Sequence, residues 1–366
     1  MIKETVGLYY LNVAIIFILL LLSFMPLYDG RSSKPFARGA GNNLYFSVNL
    51  SLLLLYLVFQ FTEYDYWNYW ENFIYKNDMV EPLQGWIRDQ FSDFYTWRLA
   101  VWGGALCIFL IGFRRLGLNS RVFFPLFILG YLSRFISREQ LGLAIMFLGS
   151  TFFLTPLKYK TLSYIIGALL VAGSYYFHNS MIISIAMLVP AFVRVDSKKA
   201  ILVLLMFVPL MFLFTYLMSD ATFMNMFYDT STNTGNRIDI YSEQVTNALN
   251  LNGLLRQLLY WSPIIIMLYD IIRRSSKKRK EEKLPQAISY YLNYWFYMFV
   301  ISFVFSFISS SAFVSVRFLD KSLFAMIVVL SYWFSVQMPN KLMRASLWLF
   351  LLYNCFNYFL IIYKAS

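Results

Sequence analysis

The sequence predicts an all-α polytopic membrane protein, a single integral membrane domain over residues 1–366, and three observations carry the prediction. Of its residues 59% are hydrophobic and 20% aromatic while 14% are charged, which is more apolar side chain than a soluble chain of this length can bury. The apolar residues fall into about twelve runs on the scale of a bilayer crossing. Lysine and arginine are divided unequally between alternate connections of those runs.

The runs lie near 8–25, 44–61, 98–113, 122–133, 141–154, 162–176, 180–193, 200–218, 258–272, 287–308, 319–336 and 345–362. The first has only Lys3 before it and no small-residue cleavage site at Pro26-Leu27-Tyr28, so it reads as a retained span rather than a cleaved leader. Those around 122–154 and 162–193 are short and paired through brief links at 134–140 and 177–179. Short, interrupted spans are tolerated where their ends line a protein-enclosed or watery cavity, so these two links are where a site is expected. Cys107 and Cys355 sit inside apolar runs and read as small buried hydrophobes, not as a disulfide or a metal site.

The connections around 26–43, 113–121, 155–161, 193–199, 272–286 and 337–344 hold 20 of the 31 Lys and Arg. The other set, with both chain ends, holds 11 of them and 14 of the 19 acids. Translocated segments avoid Lys and Arg, so the first set, including the basic loop 273–286, is expected to be cytoplasmic. The long loops 62–97 and 219–257, both links and Arg317 then face the periplasm. The formal charge of +12 is largely this asymmetry, which leaves no basic face for nucleic acid, and none is expected as a partner.

The outward face carries unusual chemistry for an anchor. Arg134 and Arg138 stand one helical turn apart, so both heads share a face, and planar, permanently charged forks bind phosphate oxygens in bidentate fashion. Arg317, which follows the hydroxyl-rich Ser309-Ser310-Ser311, and His178, the one histidine, lie at the same level. Four basic groups converging there point to an anionic ligand rather than to snorkelling anchors. The first long loop reads Glu63-Tyr64-Asp65-Tyr66-Trp67-Asn68-Tyr69-Trp70-Glu71. Rings at this depth serve an interface belt, and rings alternating with acids also suit carbohydrate, stacking on sugar faces while carboxylates accept from hydroxyls. Tyr66, Tyr69, Glu81 and Arg98 of this loop, with Arg237 and Tyr241 of the second, are the candidate substrate contacts.

In their order these features resemble the EpsG/Wzy family of bacterial polysaccharide (O-antigen and exopolysaccharide) polymerases. The carriers are Asp65-Tyr66 with Tyr69 after an early span, and Arg138 followed by Leu141-Gly142, where the family usually has Arg-Gln-x-Ile/Leu-Ala. His178 with a small polar residue two places on, and Arg317 opening a late span, complete the set. The resemblance runs from about the second span to the eleventh, and Glu139 stands where the family usually has glutamine.

The resemblance implies a fold similar to membrane glycosyltransferases of the GT-C type and a metal-independent, inverting glycosyl transfer on the periplasmic face of the bacterial inner membrane. The growing glycan on undecaprenyl diphosphate is then the donor, and the terminal hydroxyl of a fresh lipid-linked repeat is the acceptor. Membrane lipid and a chain-length regulator protein are the further expected partners, and no cofactor or metal is expected. Arg134, Arg138 and Arg317 would bind the diphosphate and stabilise the charge it gathers on leaving. The acceptor hydroxyl needs a general base, for which His178, Asp65 and Glu139 are the candidates. A flippase for lipid-linked sugars would place its arginines along a mid-membrane cavity and show internal repeats, whereas these spans are almost free of charge and carry no visible repeat. A ligase would use the same chemistry and differs only through the resemblance. A purely structural membrane protein gives no reason for the outward arginines.

Overall fold

The computed structural model describes residues 10–22, 40–60, 66–76, 82–118, 120–135, 137, 139–178, 181–195, 202, 284–306, 320–335, 345, 348–349, 352 and 356. At helical positions 40–43, 66–68, 82, 120–121, 129, 133–134, 303–306 and 334–335 only the backbone is described. The expected spans near 200–218, 258–272 and 345–362, the loop 219–257 and the basic loop 273–286 lie outside these residues or reach them only at isolated positions. The described chain is mostly helical and contains no strand.

The helix Phe94–Arg115 is long and apolar enough to cross a membrane. It begins four residues earlier than the apolar run, because Asp93 caps it: the extended Asp93 backbone (φ −124°, ψ 135°) lets the carboxylate accept from the Thr96 amide and hydroxyl, both at 2.7 Å. Those two bonds stabilise the ionised form and hold the Asp93 pKa below the usual carboxylate value. The helix widens into one π-type turn at Leu99–Gly103 and then runs to Arg115. Gly117 ends it at φ +71°, with its amide on the Arg114 carbonyl at 3.0 Å and the Leu118 amide on the Phe113 carbonyl at 3.4 Å. This is the six-to-one and five-to-two closure that needs a left-handed residue, and buried Leu118 and Phe113 supply its apolar contact.

The remaining helices alternate between two ends of the bundle. Tyr10–Leu22 and Ala40–Phe59 run antiparallel, clamped at one end by the Asn12 amide on the Phe59 carbonyl (3.0 Å) and at the other by the Tyr45 hydroxyl on the Leu22 carbonyl (3.3 Å). At that second end the Arg115 guanidinium donates to the Thr155 carbonyl at 2.8 Å and Thr151 Oγ1 at 3.0 Å while lying 3.8 Å over the Phe152 ring. Asn293 of the helix Gln286–Ser306 likewise bonds the Ala191 carbonyl and the Val195 amide, at 2.9 and 3.3 Å. We call this end the base. The opposite end is covered by Tyr66–Ile74 and Pro82–Asp89, so the expected loop 62–97 is in good part helical and forms a cap.

Gln140–Leu154 and Lys160–Ser174 form the closest helix pair, an antiparallel hairpin turning at 155–159. Its crossing point is Gly149 on Gly167: a Cβ on either would stand 2.9 Å from the other's carbonyl oxygen. Small residues at such a crossing let backbones approach where lipid supplies no hydrophobic drive between helices. The outward face of Lys160–Ser174 is apolar, with Leu162, Ile165 and Leu169 all exposed, Leu169 at 68%. Cys107, expected to be buried, is exposed on Phe94–Arg115, because the outer face of this helix is as apolar as its inner one and hydropathy does not tell them apart. Inside, a cluster of rings joins Phe109, Phe127, Phe135, Phe147 and Phe324, with Phe127 and Phe135 only 4.9 Å apart.

Candidate functional site at the cap end

The chain reverses between Ser120–Gly130 and Gln140–Leu154 through a short helical turn, Leu132–Phe135, and the bend at Ser137. Sequence chemistry closes this reversal tightly. Tyr131, fully buried among Phe109, Phe127 and Phe135, donates its hydroxyl to Gln140 Oε1. The Gln140 side-chain amide donates to Ser137 Oγ at 3.1 Å, and its backbone amide donates to the Ser137 carbonyl at 3.2 Å. The Trp102 indole N–H reaches the same carbonyl at 3.2 Å from within the π-type turn of Phe94–Arg115. Ser137 and Gln140 are therefore held from three elements, and the backbone on both sides of Arg138 is fixed.

Glu139 leaves this turn toward the start of Leu323–Ser335. Its carboxylate meets the Lys321 ammonium at 3.2 Å, with both side chains buried. A buried pair of this kind contributes little net stability, whereas breaking one by removing a partner typically costs about 3–5 kcal/mol. What it secures is register: the residue after Arg138 is tied to a residue four places after Arg317.

The second link is a turn, Tyr175–Phe177, followed by extended His178 (φ −166°, ψ 127°), whose amide donates to the Tyr175 carbonyl at 3.2 Å and whose carbonyl accepts from Met181 at 2.9 Å. Two contacts seat it against the first link. The Gln84 side-chain amide, from the cap helix Pro82–Asp89, donates to the Phe177 carbonyl. Gly142 is hemmed in on the other side, since a Cβ there would stand 3.1 Å from both Phe177 Cβ and the Ser174 carbonyl and 3.4 Å from Met181 Cγ. The half-buried His178 thus sits at the cap end beside the first turn of Gln140–Leu154. Between these pieces lies a narrow cleft of about 10 Å³ lined by Gln84, Ile87, Trp97, Val101, Trp102, Leu141 and Phe177.

The other expected site residues divide into three groups. Tyr69 and Arg98 are in the core behind the cleft. The Tyr69 ring packs 5.3 Å from Trp102, and the fully buried Arg98 donates from Nε to the Leu57 carbonyl at 3.1 Å while its guanidinium lies 4.9 Å from Trp102 and 5.5 Å from Phe94. Expected as substrate contacts, these two are placed as supports of the cleft wall, because a ring-rich loop of this length folds onto itself rather than standing in solvent. Tyr66 opens Tyr66–Ile74 and Arg134 lies within Leu132–Phe135, each described by its backbone alone. Asp65, Glu81, Arg138, Arg237, Tyr241 and Arg317 lie outside the described residues. Lys321, Gln140, Trp102 and Gln84 escaped sequence reasoning. Lys321 had a legible signal: a lysine on the acid-rich, outward side, directly before an apolar run.

Comparison with family models, curated proteins and solved structures gives no match for the chain.

Proposed function

We propose that this chain is a multi-pass inner-membrane polysaccharide polymerase that joins undecaprenyl-diphosphate-linked repeat units on the periplasmic face. The observation that carries the reading is the buried Glu139–Lys321 pair at the cap end, which ties the segment of Arg138 to the segment of Arg317 beside the turn that presents His178. Two segments far apart in sequence, at Glu139 and at Lys321, thereby meet at one end of the bundle. The membrane reading is supported by the apolar exposed faces of Lys160–Ser174 and Phe94–Arg115, by the glycine-on-glycine crossing, and by the alternation of helices between the ends. Described basic groups at the base, Arg114, Arg115, Lys158 and Lys160 among them, fall on the side whose loops are Lys- and Arg-rich.

In the reaction the acceptor hydroxyl attacks the anomeric carbon of the donor glycan, the bond from that carbon to the diphosphate breaks, and configuration inverts. The diphosphate leaves with the bonding electron pair, and Arg134, Arg138 and Arg317 would offset its charge. The hydroxyl proton passes to a base. Glu139 is already engaged by an ammonium, which favours a positioning role for it and leaves His178 or Asp65 to take the proton.

The test is polymerisation by the purified chain in lipid vesicles supplied with an undecaprenyl-diphosphate-linked repeat. A ladder of products is expected, and Arg138→Lys, which keeps the charge but loses the fork, should cut the rate about tenfold or more. Movement of the labelled lipid between leaflets without any ladder would instead establish the transporter reading.

A further inference from the structure

We propose that the base end of the bundle binds an anionic phospholipid, with its phosphate at Arg115 and one acyl chain in a groove along Gln140–Leu154. The burial pattern of that helix shows the groove. From 141 to 152 every residue is buried except Leu141, Ile145, Leu148 and Phe152, which are half-buried and fall in one stripe along the helix. The other faces are occupied. Gly112 of Phe94–Arg115 abuts the Phe147 ring, Gly167 of Lys160–Ser174 meets Gly149, and Tyr291 of Gln286–Ser306 bonds Ser150. The stripe lies opposite Ser150, so it faces away from the bundle, recessed between its two flanking helices. Between Leu141 and Phe152 it runs about 16 Å, against about 15 Å for one leaflet of a hydrocarbon core. An acyl chain of that leaflet fits its length.

At the base the stripe ends under a cation. The Arg115 guanidinium lies 3.8 Å from the centre of the Phe152 ring, and Thr151 and Thr155 hold its Nε and Nη2, which leaves Nη1 with no acceptor among the described residues. Arg114 and Lys158 beside it are both exposed. The described acids, Glu71, Asp89, Asp93, Glu139 and Asp320, all belong to the cap end. A guanidinium held in place, with two flanking cations and no described carboxylate near, matches a phosphodiester. The apolar stripe leading away from it makes the ligand a lipid rather than free phosphate. The same cations repel the ammonium of a zwitterionic headgroup, which makes the lipid an anionic one.

The test is native mass spectrometry of the purified full chain, titrated with phosphatidylglycerol or with phosphatidylcholine of the same acyl chains. Phosphatidylglycerol should bind about tenfold more tightly, and Arg114→Gln with Lys158→Gln should reduce it to the phosphatidylcholine level. Equal binding of the two lipids by the native chain, or an unaltered preference in the double variant, would overturn the headgroup site. Leu148→Trp, which fills the groove from its open side, should weaken both lipids. Unchanged binding in that variant, or full displacement of phosphatidylglycerol by an equal concentration of inorganic phosphate, would overturn the groove. The inference rests on the membrane part of the reading above and not on the polymerase part. A chain that alkaline carbonate strips from membranes would sink both that reading and the lipid site, whereas equal lipid binding by a chain that stays inserted sinks the lipid site alone.

Discussion

At the level of single residues, two of the expected site side chains have partners elsewhere in the chain. Glu139 and Arg98 were expected to touch substrate or its proton, and each is instead buried against another part of the chain. His178 directly follows the Tyr175–Phe177 turn, whose Phe177 lines the cleft. His178→Gln is expected to lower polymerisation by about a hundredfold, the range of a lost general base, with repeat-unit binding retained. Near-normal turnover in that variant, with Asp65→Asn inactive, would assign the base to Asp65. Asp93 makes a prediction of the opposite kind, confined to stability. Its folded pKa is depressed by the Thr96 bonds, so its cap stabilises the fold above the ordinary carboxylate range and is lost as pH falls through the depressed value. Asp93→Ala should therefore cost about 1 kcal/mol near neutrality, read as a lower melting temperature in detergent, and the difference from the native chain should shrink in acid.

At the level of elements, the hairpin of Gln140–Leu154 and Lys160–Ser174 is the piece on which the site depends. Its glycine crossing sets how near the two helices run, and Gly142 sets how near the Tyr175–Phe177 turn comes to the turn at Ser137. Gly149→Leu should spread the pair and destabilise the protein by about 1–3 kcal/mol or more, since backbone rather than a flexible side chain blocks the new atoms. Gly142→Val should be milder in stability, because it meets a Phe177 side-chain atom and Met181 Cγ as well as the Ser174 carbonyl, yet it displaces the His178 turn and should lower turnover. A Gly142→Val variant with an unchanged product yield in the vesicle assay and an unshifted melting temperature would show that the two links do not need this close approach. Both helices were legible in the sequence as apolar runs, to within two residues at each end. The cap helices Tyr66–Ile74 and Pro82–Asp89 were not, because aromatic rings interleaved with acids read equally well as an interface belt, and nothing in a single sequence shows that Gln84 will reach the Phe177 carbonyl.

At the level of the whole molecule, the expected orientation has a direct check. Single cysteines introduced at Asn72 and Asn236 should react with an impermeant thiol reagent outside intact spheroplasts, while one at Lys278 should react only after lysis. The reverse pattern would put the cap in the cytoplasm and remove the periplasmic reaction with it. Helical class and the sidedness of the connections are properties of composition and charge along the chain, because hydropathy and the bias in Lys and Arg act locally and need no knowledge of packing. So the sequence by itself determined that the chain is helical, where most described helices lie, and which turns deserve attention as a site. Only the tertiary structure decided that Glu139 is paired with Lys321, that Arg98 and Tyr69 support the cleft from behind, and that the His178 turn rests on Gly142. These are choices among partners distant in sequence, and they turn on packing distances of a few ångströms that no local pattern encodes.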